Sequence, residues 1–173
     1  MPHEAPFASA PPLPQLDCAC AGVRRAARLV TQLYSQEIGP AVEPTQFALL
    51  SAFRKRPGIG RPQLGRALGL DKTTLSRNLA LMQRKGWITP SGGSLRARGK
   101  GYDVTRAGVE ILAAATPGWN RAQDRLRSAF APGEWETALK VLGRVAEAAR
   151  DAAASAGEPA PGTRLPSSSP GLS

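Results

Sequence analysis

Residues 63–88 read QLGRALGLDKTTLSRNLALMQRKGWI. Leu64, Ala67 and Leu68 fall on one face of a short helix opened by Pro62, and Gly69 breaks it. Asp71 then stands where an N-cap belongs, with a carboxylate able to accept from the free N–H groups near Thr73 and Thr74. The next helix carries Leu75, Leu79 and Met82 on one face and stops at Gly86, a residue suited to a left-handed cap. With Leu64, Leu68, Leu70, Leu75 and Leu79 locked between them, the two helices predict a helix-turn-helix.

On the C-terminal side, Trp87-Ile88-Thr89 reads as a short strand and Tyr102-Asp103-Val104 as its return, joined by the Gly-rich basic stretch SGGSLRARGKG. That is a small hairpin wing. Thr105 caps a long fifth helix through Ile111 and Leu112, with a kink expected at Pro117-Gly118 and a continuation through Trp119, Leu126 and Phe130. A sixth helix starts near Pro132, with Trp135, Leu139, Leu142 and Val145 as its apolar stripe.

On the N-terminal side, Val23, Ala26, Ala27, Val30, Leu33, Tyr34 and Ile38 predict an amphipathic first helix from about Asp17 to Ile38, stopped by Gly39-Pro40. Pro44 opens a second helix that buries Phe47, Leu50 and Phe53 before Pro57-Gly58 end it. The fold class is mainly α with a small β-hairpin wing. Residues 1–15 and 155–173, rich in Pro and small residues, are expected to be disordered tails. Between them lie an N-terminal helix in 16–43, a winged helix-turn-helix in 44–105 and C-terminal helices in 106–154.

The formal net charge is +10 over 173 residues, but it is concentrated. From Arg54 to Arg106 there are 13 Lys and Arg against two acids, Asp71 and Asp103, a local +11 that leaves the rest near neutral. Such a block calls for a polyanionic partner. No apolar run approaches the ~20 residues of a spanning helix. The first residues lack the basic start and apolar core of a signal peptide, so a cytoplasmic protein is expected. Two cysteines make no disulfide framework, and one histidine, His3, argues against a zinc site. There is no Gly-rich phosphate loop, no Gly-x-Ser-x-Gly elbow and no histidine placed for acid–base work. Neither an enzyme nor a cofactor is expected.

Double-stranded DNA fits the charge better, because the exposed N-terminal half of the fourth helix carries Lys72, Thr73, Thr74, Ser76 and Arg77. In a helix-turn-helix this end enters the major groove. Arg77 suits a bidentate contact to guanine, while the hydroxyls and Lys72 reach phosphates or base edges. In the wing, Arg96, Arg98 and Lys100 can follow the backbone into the minor groove. Taken singly, either feature reads as an ordinary solvated surface; a recognition helix followed at once by a wing does not. The rival function is a non-specific architectural or membrane-surface protein that uses the basic block alone.

The element order, PTQF at 44–47, the helix-turn-helix quoted first and YDVTRAGVEIL at 102–112 resemble the MarR family of bacterial regulators, over about Leu16 to Ala152. The last stretch is similar to the family's Leu-x-Leu-Thr-x-x-Gly. This resemblance implies a homodimer interlocked through the first, fifth and sixth helices. It also implies two winged lobes set on successive major grooves of a near-palindromic operator, and release by a small-molecule effector or a thiol. One departure is Ser91-Gly92-Gly93-Ser94, where the family's wing usually begins with an acidic residue followed by Arg.

A narrower resemblance is to the organic-hydroperoxide-sensing branch. Cys20 and Tyr34, fourteen residues apart, match its reactive cysteine and the tyrosine that contacts the cysteine of the other subunit. Its second tyrosine has no counterpart, since Pro44 or Thr45 falls there. Cys18 and Cys20 both lie at a helix start, where positive partial charge makes a thiol more reactive than a buried one. Two small cysteines that merely pack the helix are the equal alternative. Shared chelation of a soft metal by one chain's pair is awkward, because positions i and i+2 point about 200° apart on a helix. A small apolar or aromatic effector in a cleft near Trp119 and Phe130 is the other candidate signal.

Overall fold

Local capping decides where each element begins. In the computed structural model, which describes residues 13–14, 17–91 and 101–156, the order is α1 (Ala19–Ile38), α2 (Pro44–Lys55), α3 (Arg61–Leu68), α4 (Lys72–Arg84), β1 (Ile88–Pro90), β2 (Tyr102–Val104), α5 (Arg106–Arg127) and α6 (Glu134–Ala156). The expected tails fall outside the described residues, apart from Leu13, Pro14 and the last two residues of α6. A capping box starts α2: the Glu43 side chain accepts from the backbone of Gln46, whose side chain in turn accepts from the Glu43 N–H, with Pro44 at the first helical position. Thr105 starts α5, its hydroxyl accepting from the Gly108 N–H at 3.1 Å and donating to the Gly86 carbonyl.

Two helix ends turn the chain by the same device. At the end of α3, Gly69 (φ 63°) donates to the Arg66 carbonyl and Leu70 to that of Gly65. At the end of α4, Gly86 (φ 69°) donates to Gln83 and Trp87 to Met82. Both are Schellman motifs, which satisfy orphan carbonyls and need a residue tolerant of positive φ. The first makes the turn between α3 and α4, and the second hands the chain to the hairpin, whose antiparallel register pairs Ile88 with Val104, Thr89 with Asp103 and Pro90 with Tyr102.

The chain forms two compact units that divide after Arg125, within the last turn of α5. In the first, Leu49, Leu50, Phe53, Leu64, Leu79 and Met82 are fully buried, and Trp87, Ile88, Tyr102 and Leu112 extend the core to the hairpin and α5. The end of α1 is held on α5 by Glu37, which accepts from Arg121 at 3.0 Å and from Arg125. The Arg125 guanidinium first, and Arg121 second, hold the Glu37 carboxyl below its usual range. Gly118 lies directly against the Glu37 carbonyl, where a Cβ has no room. Helix α5 continues past Pro117 to Arg127 as one element, so Phe130 belongs to the turn beyond it.

The second unit is that turn and α6. Gly133 (φ 84°) bends the chain, Glu134 accepts from the Ala131 N–H at 2.8 Å, and Phe130 packs edge-on against Trp135 at 5.5 Å. Here the apolar stripe behaves differently from a core stripe: Leu139 is 50% exposed, Leu142 53% and Val145 41%. Val23, Leu29 and Val30 on α1 are exposed too. Periodicity records that a helix face is to be covered, and among the described residues these faces stay exposed.

Candidate nucleic-acid interface

The helix-turn-helix is built from its turn outward. A Cβ on Gly65 would meet the Leu70 carbonyl at 3.1 Å, so the small residue lets the turn fold tightly over α3. Leu64, Leu75 and Leu79 are buried between α3 and α4, with Leu68 and Leu70 partly buried beside them. Asp71 caps α4: Oδ1 accepts from the N–H of Thr73 at 2.8 Å and of Thr74 at 2.9 Å, and Oδ2 accepts from the Thr74 hydroxyl at 2.6 Å.

Those bonds, the Thr74 hydroxyl foremost, hold the Asp71 carboxyl below its ordinary value of 3.8. A depressed folded pKa means the stabilisation is complete above the ordinary value and is lost as pH falls through the lower folded one. Asp71→Ala is therefore expected to lower the thermal unfolding midpoint near neutral pH. The gap between variant and parent should close in strong acid, which circular dichroism melts at a series of pH values would show.

With Leu75, Leu79 and Met82 turned inward, Lys72, Thr73, Ser76 and Arg77 are left exposed on the outer face of α4. Thr74 is half-buried, and its hydroxyl is engaged with Asp71. The wing arginines Arg96 and Arg98 and the lysine Lys100 lie outside the described residues; the root of the wing does not. There the Ser91 N–H donates to the Gly101 carbonyl at 3.0 Å and its hydroxyl to Asp103 at 2.9 Å. Tyr102 is buried, its ring 5.7 Å from that of Phe53, and its hydroxyl accepts from Arg61. Lys85 lies over the Trp87 ring at 4.3 Å. Arg61 and Tyr102 stand 41 residues apart, so their contact leaves no local pattern in the sequence.

Away from this face, a cleft of about 890 Å³ opens between α1, α2 and α5. Phe47 and Trp119 stack at 5.8 Å on its wall, Tyr34 and Leu112 line it, and Arg54 and Lys55 stand at its edge. Trp119 thus lines this cleft, and Phe130 packs on Trp135 within the second unit. Burial pushes the Tyr34 hydroxyl above its ordinary value. Cys18, the N-cap of α1, and Cys20 are both exposed free thiols. Fourteen residues of helix span about 21 Å, so Cys20 and Tyr34 do not meet within one chain.

Two helices joined by a tight glycine turn, the second with an outward polar and basic face and followed at once by a two-stranded hairpin, define a winged helix-turn-helix protein. Residues 42–97 match the MarR family, and the solved structures that the chain resembles include transcriptional regulators. Over that stretch the chain is similar to the MarR family of transcriptional regulators. The transcriptional regulator MosR of M. tuberculosis, solved in complex with DNA, is 29% identical, with 79% of this chain and 98% of that one covered and a TM-score of 0.69. PcaV from Streptomyces coelicolor, solved with its natural ligand, is 20% identical over 79% of this chain and 99% of that one, with a TM-score of 0.69. The repressor CouR, bound to p-coumaroyl-CoA, is 21% identical over 75% and 92%, with a TM-score of 0.64. At their lower identity the last two attest to the fold. Nothing among the curated proteins matches significantly. No described helix is long and apolar enough to cross a membrane.

Proposed function

We infer that this chain is a sequence-specific DNA-binding transcriptional regulator, acting in the cytoplasm as a homodimer and working as a repressor. The observation that carries it is the outer face of α4, where Lys72, Thr73, Ser76 and Arg77 are exposed together while the opposite face is buried against α3. Arg77 reads base edges, Lys72 and the hydroxyls hold phosphates and base edges, Thr74 supports the cap, and Arg96, Arg98 and Lys100 supply the wing's contact to the backbone. The DNA-bound MosR structure supports the same partner. The exposed stripes of α6 and α1 support a second copy as what covers them, which sets two α4 helices on a near-palindromic duplex.

Selection from a randomised duplex pool with the full chain tests this. A two-fold sequence should be enriched, and its affinity should exceed that for random DNA by about 10³-fold or more at physiological salt. Uniform recovery of all sequences, with a single steep salt dependence, would leave a non-specific architectural protein in its place.

Release from DNA has two readings. The cleft favours a small organic effector, because its stacked aromatic wall offers apolar area and Arg54 and Lys55 stand ready for an anionic group. Exposure of Cys18 and Cys20 favours oxidation of a thiol. Under the thiol reading, hydroperoxide should release DNA from the parent chain and leave the Cys20→Ser complex intact. Equal release from both excludes Cys20 as the sensor.

A further inference from the structure

We propose that Arg61 is a positioning residue for DNA binding, clamping the root of the wing through Tyr102 rather than meeting a phosphate itself. The proposal rests on the DNA-binding reading above. Arg61 is the first residue of α3 and Tyr102 the first of β2, yet the guanidinium donates to the Tyr102 hydroxyl and its Cζ lies 5.4 Å from the ring centroid. On α2, Phe53 packs at 5.7 Å from the same ring. The ring is thereby tied to both helices. Tyr102 is only 4% exposed, and a phenol taken that far from water requires a partner for its oxygen. Arg61 supplies that partner from the solvent side.

The neighbouring contacts act in the same direction. Gly101 sits against the carbonyl of Ile59 and the backbone of Gly58, in the turn before α3, so close that no Cβ fits. Across the hairpin, Ser91 is bonded to both Gly101 and Asp103. Both strands are therefore anchored where the segment bearing Arg96, Arg98 and Lys100 leaves and returns. Fixing both strands at the root lowers the ordering cost of docking the wing on a phosphate backbone.

Tyr102→Phe separates this role from a charge effect, since it keeps the ring and every positive charge and removes only the hydroxyl. Two measurements on the full chain are needed: amide exchange at Ser91 without DNA, and affinity for the duplex enriched from the randomised pool. With the clamp acting as proposed, Tyr102→Phe raises Ser91 exchange and weakens binding about fivefold, with an unchanged salt slope. Arg61→Met does the same to exchange and weakens binding at least as much. The double variant is no worse than Arg61→Met alone, because the two residues act as one unit.

A Tyr102→Phe chain that binds as the parent overturns the proposal, whatever its exchange. So does an Arg61→Met chain whose loss comes with a salt slope lower by about 0.9, the mark of a lost phosphate contact, and with parental exchange at Ser91. Failure of the parent to enrich any duplex is a different outcome: it removes the DNA-binding reading and the proposal with it.

Discussion

Arg77→Ala is expected to weaken binding to the enriched duplex by about 5- to 150-fold, the 1–3 kcal/mol of one bidentate base contact, while affinity for random DNA falls far less. The residue is exposed on the outer face of α4, about a turn and a half in from the capped end, with Leu75 and Leu79 anchoring the helix from behind. A truncation there removes no core contact, so the fold should survive it. Arg77→Lys keeps the charge but loses the planar fork, and is expected to retain phosphate-driven affinity while relaxing base preference. Competition titrations with single-base variants of the duplex read both effects. Parental affinity and preference in Arg77→Ala would remove α4 from the role of base reader.

Gly108→Ala is expected to destabilise the first unit by about 2 kcal/mol or more, against the sign that helix propensity alone predicts. In the first turns of an ordinary helix, alanine gains about 1 kcal/mol over glycine. Here an added Cβ would run into the Trp87 carbonyl and the Val104 side chain, and a carbonyl fixed by its bond from Thr105 cannot swing aside. Overpacking of this kind costs about 1–3 kcal/mol, more when the obstacle is backbone. The melting midpoint should fall by roughly 5 °C or more, and DNA affinity with it, because the hairpin and α5 meet at this point. An unchanged or higher midpoint would show that the two elements can part without loss.

Much of the helix-turn-helix was legible because its signals are local. Gly69, Asp71 and Gly86 each act on backbone within a few residues, so their caps follow from residue type and spacing, and the structure forms them as the sequence implied. Element ends were less well determined. Helix α1 begins at Ala19, two residues after Asp17, where no side-chain cap bond marks the start as Asp71 does for α4. Helix α5 stops before Phe130 because the turn around Gly133 needs those residues.

Contacts between distant segments were not legible. Arg61 and Tyr102 stand 41 residues apart, and Glu37 stands 84 and 88 residues from Arg121 and Arg125; no periodicity links them. The cleft also needed three helices to be placed before Phe47, Tyr34 and Trp119 could share it. The helix-turn-helix read from residues 63–88, its cap and the outward place of Arg77 were thus determined by the sequence itself, through hydrogen bonds and side-chain spacing that act over one or two turns. How the wing is held was decided only in three dimensions. That fixing depends on a buried phenol, a glycine with no room for a Cβ and a guanidinium from another helix, groups that meet only once the hydrophobic core has closed.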